Sequence, residues 1–339
     1  MGNHLVAAAP SQILSVENCL LETPQYVFNK NLGSTRFMKV ARATGQEGYV
    51  VVKVFALPDS DFNLSKYKDE VLHIKEKLKK ASNCLPFQSA IVTDRAAFLA
   101  RQYIKYNLYD RLSTRPFYNT IERKWVAFQL LCALNQMAQF NIWHGDIKSE
   151  NVLLSSWNWL LLTDFASFKP YELPDDNPAN YNYFFDTARR RTCFIAPERF
   201  QDDMKPGDSM HKGFSQENQA KTHAIDIFSS GCVIAEIFTD GASLFDLSQL
   251  LSYRSKSFYP DACLSKIEDP HVRTLVEHMI QLNPDKRFTA EQYLTMWRGK
   301  VFPNHFYSYL KIYLGKIKVN SQFDLFSIDF AEIEHPNDD

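Results

Sequence analysis

The chain has 339 residues, of which 45% are hydrophobic and 14% aromatic, and its formal net charge is −1. It is longer than one ordinary domain and apolar enough to bury a sizeable core, so the middle of the chain is not read as disordered. A near-neutral balance leaves no electrostatic footprint for nucleic acid, and no nucleic-acid partner is expected.

Residues 1–23 read as a small-residue leader, of which residues 1–12 lack the basic and apolar regions of a secretory signal. From Tyr26 to Tyr103 the pattern is strand-rich, with β-prone runs at Phe37 to Ala43 and Tyr49 to Phe55 around Gly45 and Gly48. Tyr67, Val71, Ile74 and Leu78 recur at helical spacing and predict a helix over Leu64 to Lys80. Helices are predicted at Trp125 to Phe140, Ala224 to Phe238 and Val272 to Leu282, the first a core helix with a polar stripe of Gln129, Asn135 and Gln136. The polar, glycine-containing segment 201–223 reads as a mobile insertion. Six cysteines (Cys19, Cys84, Cys132, Cys193, Cys232, Cys263) form no C-x-x-C pair, which suits reduced, mostly buried thiols on the cytosolic side. No apolar run approaches the roughly 20 residues that cross a bilayer.

His144-Gly145-Asp146-Ile147-Lys148-Ser149-Glu150-Asn151 is followed, thirteen residues after Asn151, by Asp164-Phe165-Ala166, behind a strand-like run from Trp159 to Thr163. This spacing resembles the catalytic and metal-binding loops of protein kinases. The resemblance implies an α+β, two-lobed fold, with a small β-rich lobe at 24–103, a hinge at 104–108, a large helical lobe at 109–315 and a C-terminal extension at 316–339. It implies Asp146 as catalytic base, Lys148 as γ-phosphate contact, and Asn151 and Asp164 as Mg²⁺ ligands, with His144 structural. Leu32, Gly33 and Val40 fall on the nucleotide-covering loop, and Lys53 on the strand whose lysine meets the α and β phosphates. A buried ammonium needs an anion. Glu70, seventeen residues on, is the expected partner, with Glu76 its rival. Glu198 of Ala196-Pro197-Glu198 is expected to pair with Arg287, and Asp226 to tie down the catalytic loop. The implied cofactors are ATP, or another purine nucleotide, and Mg²⁺.

Three departures bear on rate. Only the first glycine of the phosphate loop is present, in Gly33-Ser34-Thr35-Arg36-Phe37-Met38-Lys39-Val40, so Thr35 and Met38 are expected to reshape the approach of phosphate to backbone amides. Gly145 replaces the arginine that commonly receives an activation-loop phosphate, and Ala166 replaces the last glycine of the metal-binding triplet. The activation segment crowds Tyr171, Tyr181, Tyr183, Phe184 and Phe185 between Asp175-Asp176 and Arg189-Arg190-Arg191, a pattern suited either to docking a partner, to covering the substrate groove, or to ordinary packing.

The leader Met1-Gly2-Asn3, the segment Asn107-Leu108-Tyr109-Asp110-Arg111-Leu112, the catalytic loop and the run Thr163 to Pro170 resemble, more closely, the kinase-like regulatory subunits of class III phosphoinositide 3-kinases. That resemblance implies N-myristoylation at Gly2, although Val6 stands where Ser or Thr is usual. It also implies partnership with the lipid kinase catalytic subunit and with autophagy and endosomal regulators, peripheral residence on the cytoplasmic face of late endosomes and autophagosomes, and Ser/Thr kinase activity that is weak or replaced by a scaffold role. Helical repeats and a β-propeller follow the kinase domain in that family, so the chain is expected to be its N-terminal part.

Overall fold

The computed structural model describes residues 15–34, 38–46, 48–56, 64–165, 169–174, 178–185, 192–201 and 219–309. Gly2, Thr35, Ala166, most of the insertion and the extension 316–339 lie outside them. The small lobe runs α1 (Val16–Leu20), β1 (Val27–Ser34), β2 (Lys39–Gly45), β3 (Gly48–Ala56), α2 (Ser65–Leu78), β4 (Cys84–Leu85), β5 (Ser89–Val92) and β6 (Ala96–Gln102). Its antiparallel sheet has the order β1-β2-β3-β6-β5.

Strand alternation divides this sheet into two faces. Ala41, Ala43, Val52, Val54, Phe98 and Ala100 pack together on one face, and α1 covers them with Val16, Cys19 and Leu20. The leader assignment is therefore corrected: residues 15–23 belong to the small lobe, because those three apolar side chains close the outer face of the sheet. On the opposite face the register aligns Val40 with Lys53, Lys53 with Leu99 and Val51 with Arg101. Lys53, Leu99 and Arg101 thus share the side toward the other lobe.

The link between lobes is shorter than expected. β7 (Tyr106–Asn107) already pairs with β8 (Val152–Leu154), and Leu108 opens α3 (Leu108–Leu112), capped by Asn107. The connection narrows to residues 103–105.

The large lobe is organised on α4 (Thr120–Ala138), which starts at an Asn119/Glu122 capping box and is buried continuously from Val126 to Leu134. Its polar stripe is structural. Gln129 accepts from the Leu160 amide at 2.9 Å and donates to the Asn158 carbonyl at 2.9 Å, while Gln136 accepts from the Asn83 amide at 3.0 Å. These bonds fasten β9 (Leu160–Thr163), which pairs in parallel with β4 and antiparallel with β8. A small-lobe strand therefore clamps the segment that delivers Asp164.

Beyond it follow β10 (Leu173–Pro174), α5 (Pro178–Phe184), β11 (Phe200–Gln201), α6 (Gln219–Phe238), α7 (Leu247–Arg254), α8 (Asp261–Leu264), α9 (Pro270–Met279) and α10 (Ala290–Met296). The proposed insertion 201–223 is trimmed at both ends, since Gln201 pairs in β11 and residues 219–223 form the first turn of α6, where Thr222 is buried. Gly231 lets α6 approach α9: a Cβ there would sit 2.8 Å from that of Met279. All six cysteines are free, and five are buried. Among the described residues no helix is long and apolar enough to cross a membrane.

Candidate active site

Asp146, Lys148, Asn151 and Asp164 come together at the junction of the lobes, all buried. The catalytic loop is held from below by Asp226, which accepts the His144 amide at 2.6 Å and the Gly145 amide at 2.9 Å. Burial raises the Asp226 carboxyl to about 6 in spite of those two bonds. His144 is fully buried, and burial pushes it down to about 4, so the ring is neutral. Its Nε2 donates to the Thr163 carbonyl at 2.7 Å and its Nδ1 accepts the Asp146 amide at 3.2 Å. The histidine thus spaces the catalytic loop from β9, as expected of a structural residue.

Asn151 donates through Nδ2 to the Asp146 carbonyl at 2.8 Å and to its Oδ2 at 3.2 Å. Only an amide oxygen ligates a hard cation, and the donor in these bonds is the nitrogen. Asp164 has φ +65°, a conformation that a non-glycine residue holds only when its surroundings impose it. Here the next-door Thr163 donates its hydroxyl to Leu85 at 2.8 Å, and the carboxylate is gripped from the small lobe. Lys53 Nζ lies 2.8 Å from Asp164 Oδ2, across 111 residues of sequence.

Of the two glutamates considered for Lys53, Glu76 is exposed and lies 4.0 Å from Lys79, whereas Glu70 is half-buried on α2. Leu32 and Gly33 are at the exposed end of β1, and Val40 is half-buried on β2. The Gly33 amide donates to Asn31 Oδ1 at 2.8 Å, so a side chain of the loop itself engages an amide of the kind that cradles phosphate. Met38 packs against Val71, Phe87, Ala90 and Leu99 beneath it.

Two further cations were not foreseen. Arg101 Nε reaches Asp164 Oδ1 at 3.0 Å, and Lys169 Nζ reaches Asp146 Oδ2 at 2.6 Å, with Lys148 Nζ at 3.4 Å from the same oxygen. Burial alone would raise the Asp164 carboxyl, but Arg101 and then Lys53 outweigh it and hold the group well below the usual range. Lys148 and Lys169 likewise outweigh burial at Asp146 and lower it. Along these pairs four cations meet two carboxylates, an arrangement that attracts a polyanion.

Residues 26–297 match the protein kinase domain family. The chain belongs to the protein kinase family. It is 46% identical over 310 residues to a probable serine/threonine-protein kinase vps15 of Dictyostelium discoideum, covering 90% of this chain and 15% of that protein. It is 44% identical to a serine/threonine-protein kinase VPS15 of Arabidopsis thaliana (91% of this chain, 20% of that one) and 42% identical to that of Saccharomyces cerevisiae (92% and 21%). The chain spans about a fifth or less of the length of these relatives.

One residue answers the loss of the kinase arginine at position 145. Arg199, fully buried directly after the Ala196-Pro197-Glu198 triplet, donates to the carbonyls of Gly145 at 2.7 Å, Tyr171 at 2.9 Å and Pro170 at 2.7 Å. It ties the catalytic loop to the activation segment through main-chain carbonyls. Gly145 itself has φ +75°, and a Cβ there would lie 2.7 Å from the Trp143 ring. Gly145→Ala is expected to cost about 1–3 kcal/mol, read as a lower urea midpoint at unchanged slope. A change under about 0.5 kcal/mol would show that neither strain nor clash operates there.

The aromatic part of the activation segment packs inward. Tyr181, Phe184 and Phe185 are buried, and Tyr181 donates to the Thr192 carbonyl at 2.6 Å. The Phe185 carbonyl accepts from Lys148 Nζ at 3.3 Å, and its ring lies 4.9 Å from Lys169 Nζ. Of the readings open for this segment, the described aromatics fit ordinary packing, since Tyr181, Phe184 and Phe185 lie in the core of the large lobe with Tyr171 and Tyr183 packed against it.

Proposed function

We propose that this chain is a purine-nucleotide-binding kinase domain of a regulatory subunit of a class III phosphatidylinositol 3-kinase complex, and that it transfers the γ-phosphate to Ser or Thr slowly. The contact between Lys53 and Asp164, with Asp146 and Asn151 on the adjoining loop, carries this reading. It joins the lobes at the place where a triphosphate and its metal are held in the family. Lys53 and Lys148 suit phosphate oxygens. The small oxygen donor set of Asp164 and Asn151 suits Mg²⁺, which takes one or two protein ligands and completes its shell with phosphate and water. When bound, that ion neutralises charge on the transferring group. Asp146 is placed to orient a substrate hydroxyl and accept its proton.

The likeness to VPS15 kinases supports the assignment to the lipid kinase complex, with its catalytic subunit and with autophagy and endosomal regulators as partners. On the same ground we place the protein on the cytoplasmic face of late endosomes and autophagosomes, held by a myristoyl group on Gly2. One such chain binds membrane reversibly, so a second contact is required for stable residence. The occupied Gly33 amide and the covered Asp146 favour slow transfer, with bound nucleotide serving partly as a structural ligand.

The test uses purified protein with labelled ATP or GTP and Mg²⁺. Wild type is expected to bind and transfer slowly, and Asp146→Asn to bind equally while transfer falls by about a hundredfold or more. Asp164→Ala is expected to lose metal-dependent transfer. Binding by wild type without any transfer leaves the scaffold role alone, and no binding by any of the three overturns the nucleotide reading.

A further inference from the structure

Arg101 is not among the charged residues that the kinase motifs mark, yet it reaches both oxygens of the Asp164 carboxylate. Its Nε lies 3.0 Å from Oδ1 and its Nη2 3.5 Å from Oδ2, while Lys53 Nζ lies 2.8 Å from Oδ2. Both oxygens of the carboxylate therefore face protein cations. The remaining terminal nitrogen, Nη1, donates to the Gln102 carbonyl at 3.1 Å, so the backbone of β6 fixes the fork in orientation. Register does the rest: Arg101 stands opposite Val51, two residues from the Lys53 rung, on the same face of the sheet. The arginine and aspartate side chains are both at least nine-tenths buried.

A guanidinium keeps its charge at every pH the protein meets, and its planar fork fits a carboxylate. A metal ion approaching Asp164 must therefore displace a buried, charge-assisted contact as well as water. Conversely, a bare carboxylate at this point would repel a triphosphate, and in kinases generally the metal removes that repulsion. Here the offsetting charge comes from the protein. We propose that Arg101 is a positioning residue that holds Asp164 in a charge-compensated state, so that the cleft takes up a purine triphosphate with little dependence on divalent metal. This rests on the nucleotide reading above and adds to it the order of preference between triphosphate and metal.

The experiment measures dissociation constants for labelled ATP and GTP, in excess EDTA and in excess Mg²⁺, on the 339-residue chain. Wild type is expected to give nearly the same value in both. In Arg101→Met the ratio of the EDTA value to the Mg²⁺ value is expected to rise about tenfold, because metal-free affinity falls and the metal gains an open oxygen. Arg101→Lys keeps the charge and is expected to stay near wild type. Arg101→Gln keeps hydrogen-bonding groups without charge and reads the same ratio should the methionine variant not fold. A purely structural arginine would weaken both constants together and leave the ratio unmoved, and that result with binding intact overturns this inference alone. No binding by wild type in either condition overturns the nucleotide reading, and this inference with it.

Discussion

Arg287→Ala is expected to remove about 3–5 kcal/mol of stability, a large share of the roughly 5–15 kcal/mol that holds a domain together. Arg287 has no exposed side-chain surface, and it forms a bidentate pair with Glu198 at 2.6 and 2.9 Å. It also donates to the carbonyls of Gln281 at 2.7 Å and Ala224 at 2.9 Å, and its guanidinium lies 5.0 Å from the Phe228 ring centre. Truncation strands a largely desolvated carboxylate and two carbonyls in one stroke, while also leaving a void against Phe228. The pair itself is weaker evidence of stability than its breakage, because desolvating both ions costs about as much as their attraction returns. Arg287→Met with Glu198→Leu is accordingly expected to recover most of the loss. Urea unfolding of the two variants beside wild type decides it, and a loss below about 1 kcal/mol in the single variant would show that this pair does not anchor the end of the activation segment.

How far the site was legible depends on whether a residue's role is set by its neighbours in sequence. Lys53, Asp146, Asn151 and Asp164 could be read through the kinase resemblance because the motifs that mark them are local, a lysine that interrupts a valine run on one strand and a loop leading into one hairpin-like segment. Glu198 and Arg287 were legible only through family motifs, since 89 residues separate them. Arg101, Lys169 and Arg199 escaped. Their partners lie 63, 23 and 54 residues away, and no local pattern announces such a meeting. A weak signal existed for Arg101: the only charge in Ala96-Ala97-Phe98-Leu99-Ala100-Arg101 lies at the end of an otherwise apolar strand, where burial demands an anion.

The fold was legible wherever periodicity ran long. The helix expected over Leu64 to Lys80 forms at Ser65–Leu78, and that expected at Val272 to Leu282 forms at Pro270–Met279, shifted toward the Asp269 cap. The strand expected at Phe37 to Ala43 is displaced to Lys39–Gly45, since pairing with β3 rather than propensity sets its ends. α1, five residues long, offers too little periodicity to be seen, and only the apolar face it covers explains it.

Lys169→Met is expected to raise phosphoryl transfer about ten- to a hundredfold, since a hydrogen bond to a charged group contributes about 1.5–3 kcal/mol. The ammonium sits 2.6 Å from Asp146 Oδ2, the oxygen to which Asn151 also donates, and so competes with any substrate hydroxyl for the proton acceptor. Methionine keeps the length of the side chain and its packing against Phe185 while removing the donor. Burial pushes Lys169 down to about 8, against the opposing pull of Asp146. Wild-type transfer should therefore climb as pH rises from 7 to 9 and the ammonium is lost, whereas Lys169→Met should be flat over that range. The same titration has a sign for stability: between about 8 and the ordinary lysine value of 10.5 the unfolded chain binds more protons than the folded one, so stability grows with pH there. The measurement is autophosphorylation with labelled nucleotide and Mg²⁺ at several pH values. A fall in transfer in Lys169→Met, with nucleotide binding unchanged, would mean that the lysine assists the reaction as a second phosphate contact. Asp146 would then be primed by the activation segment rather than covered by it.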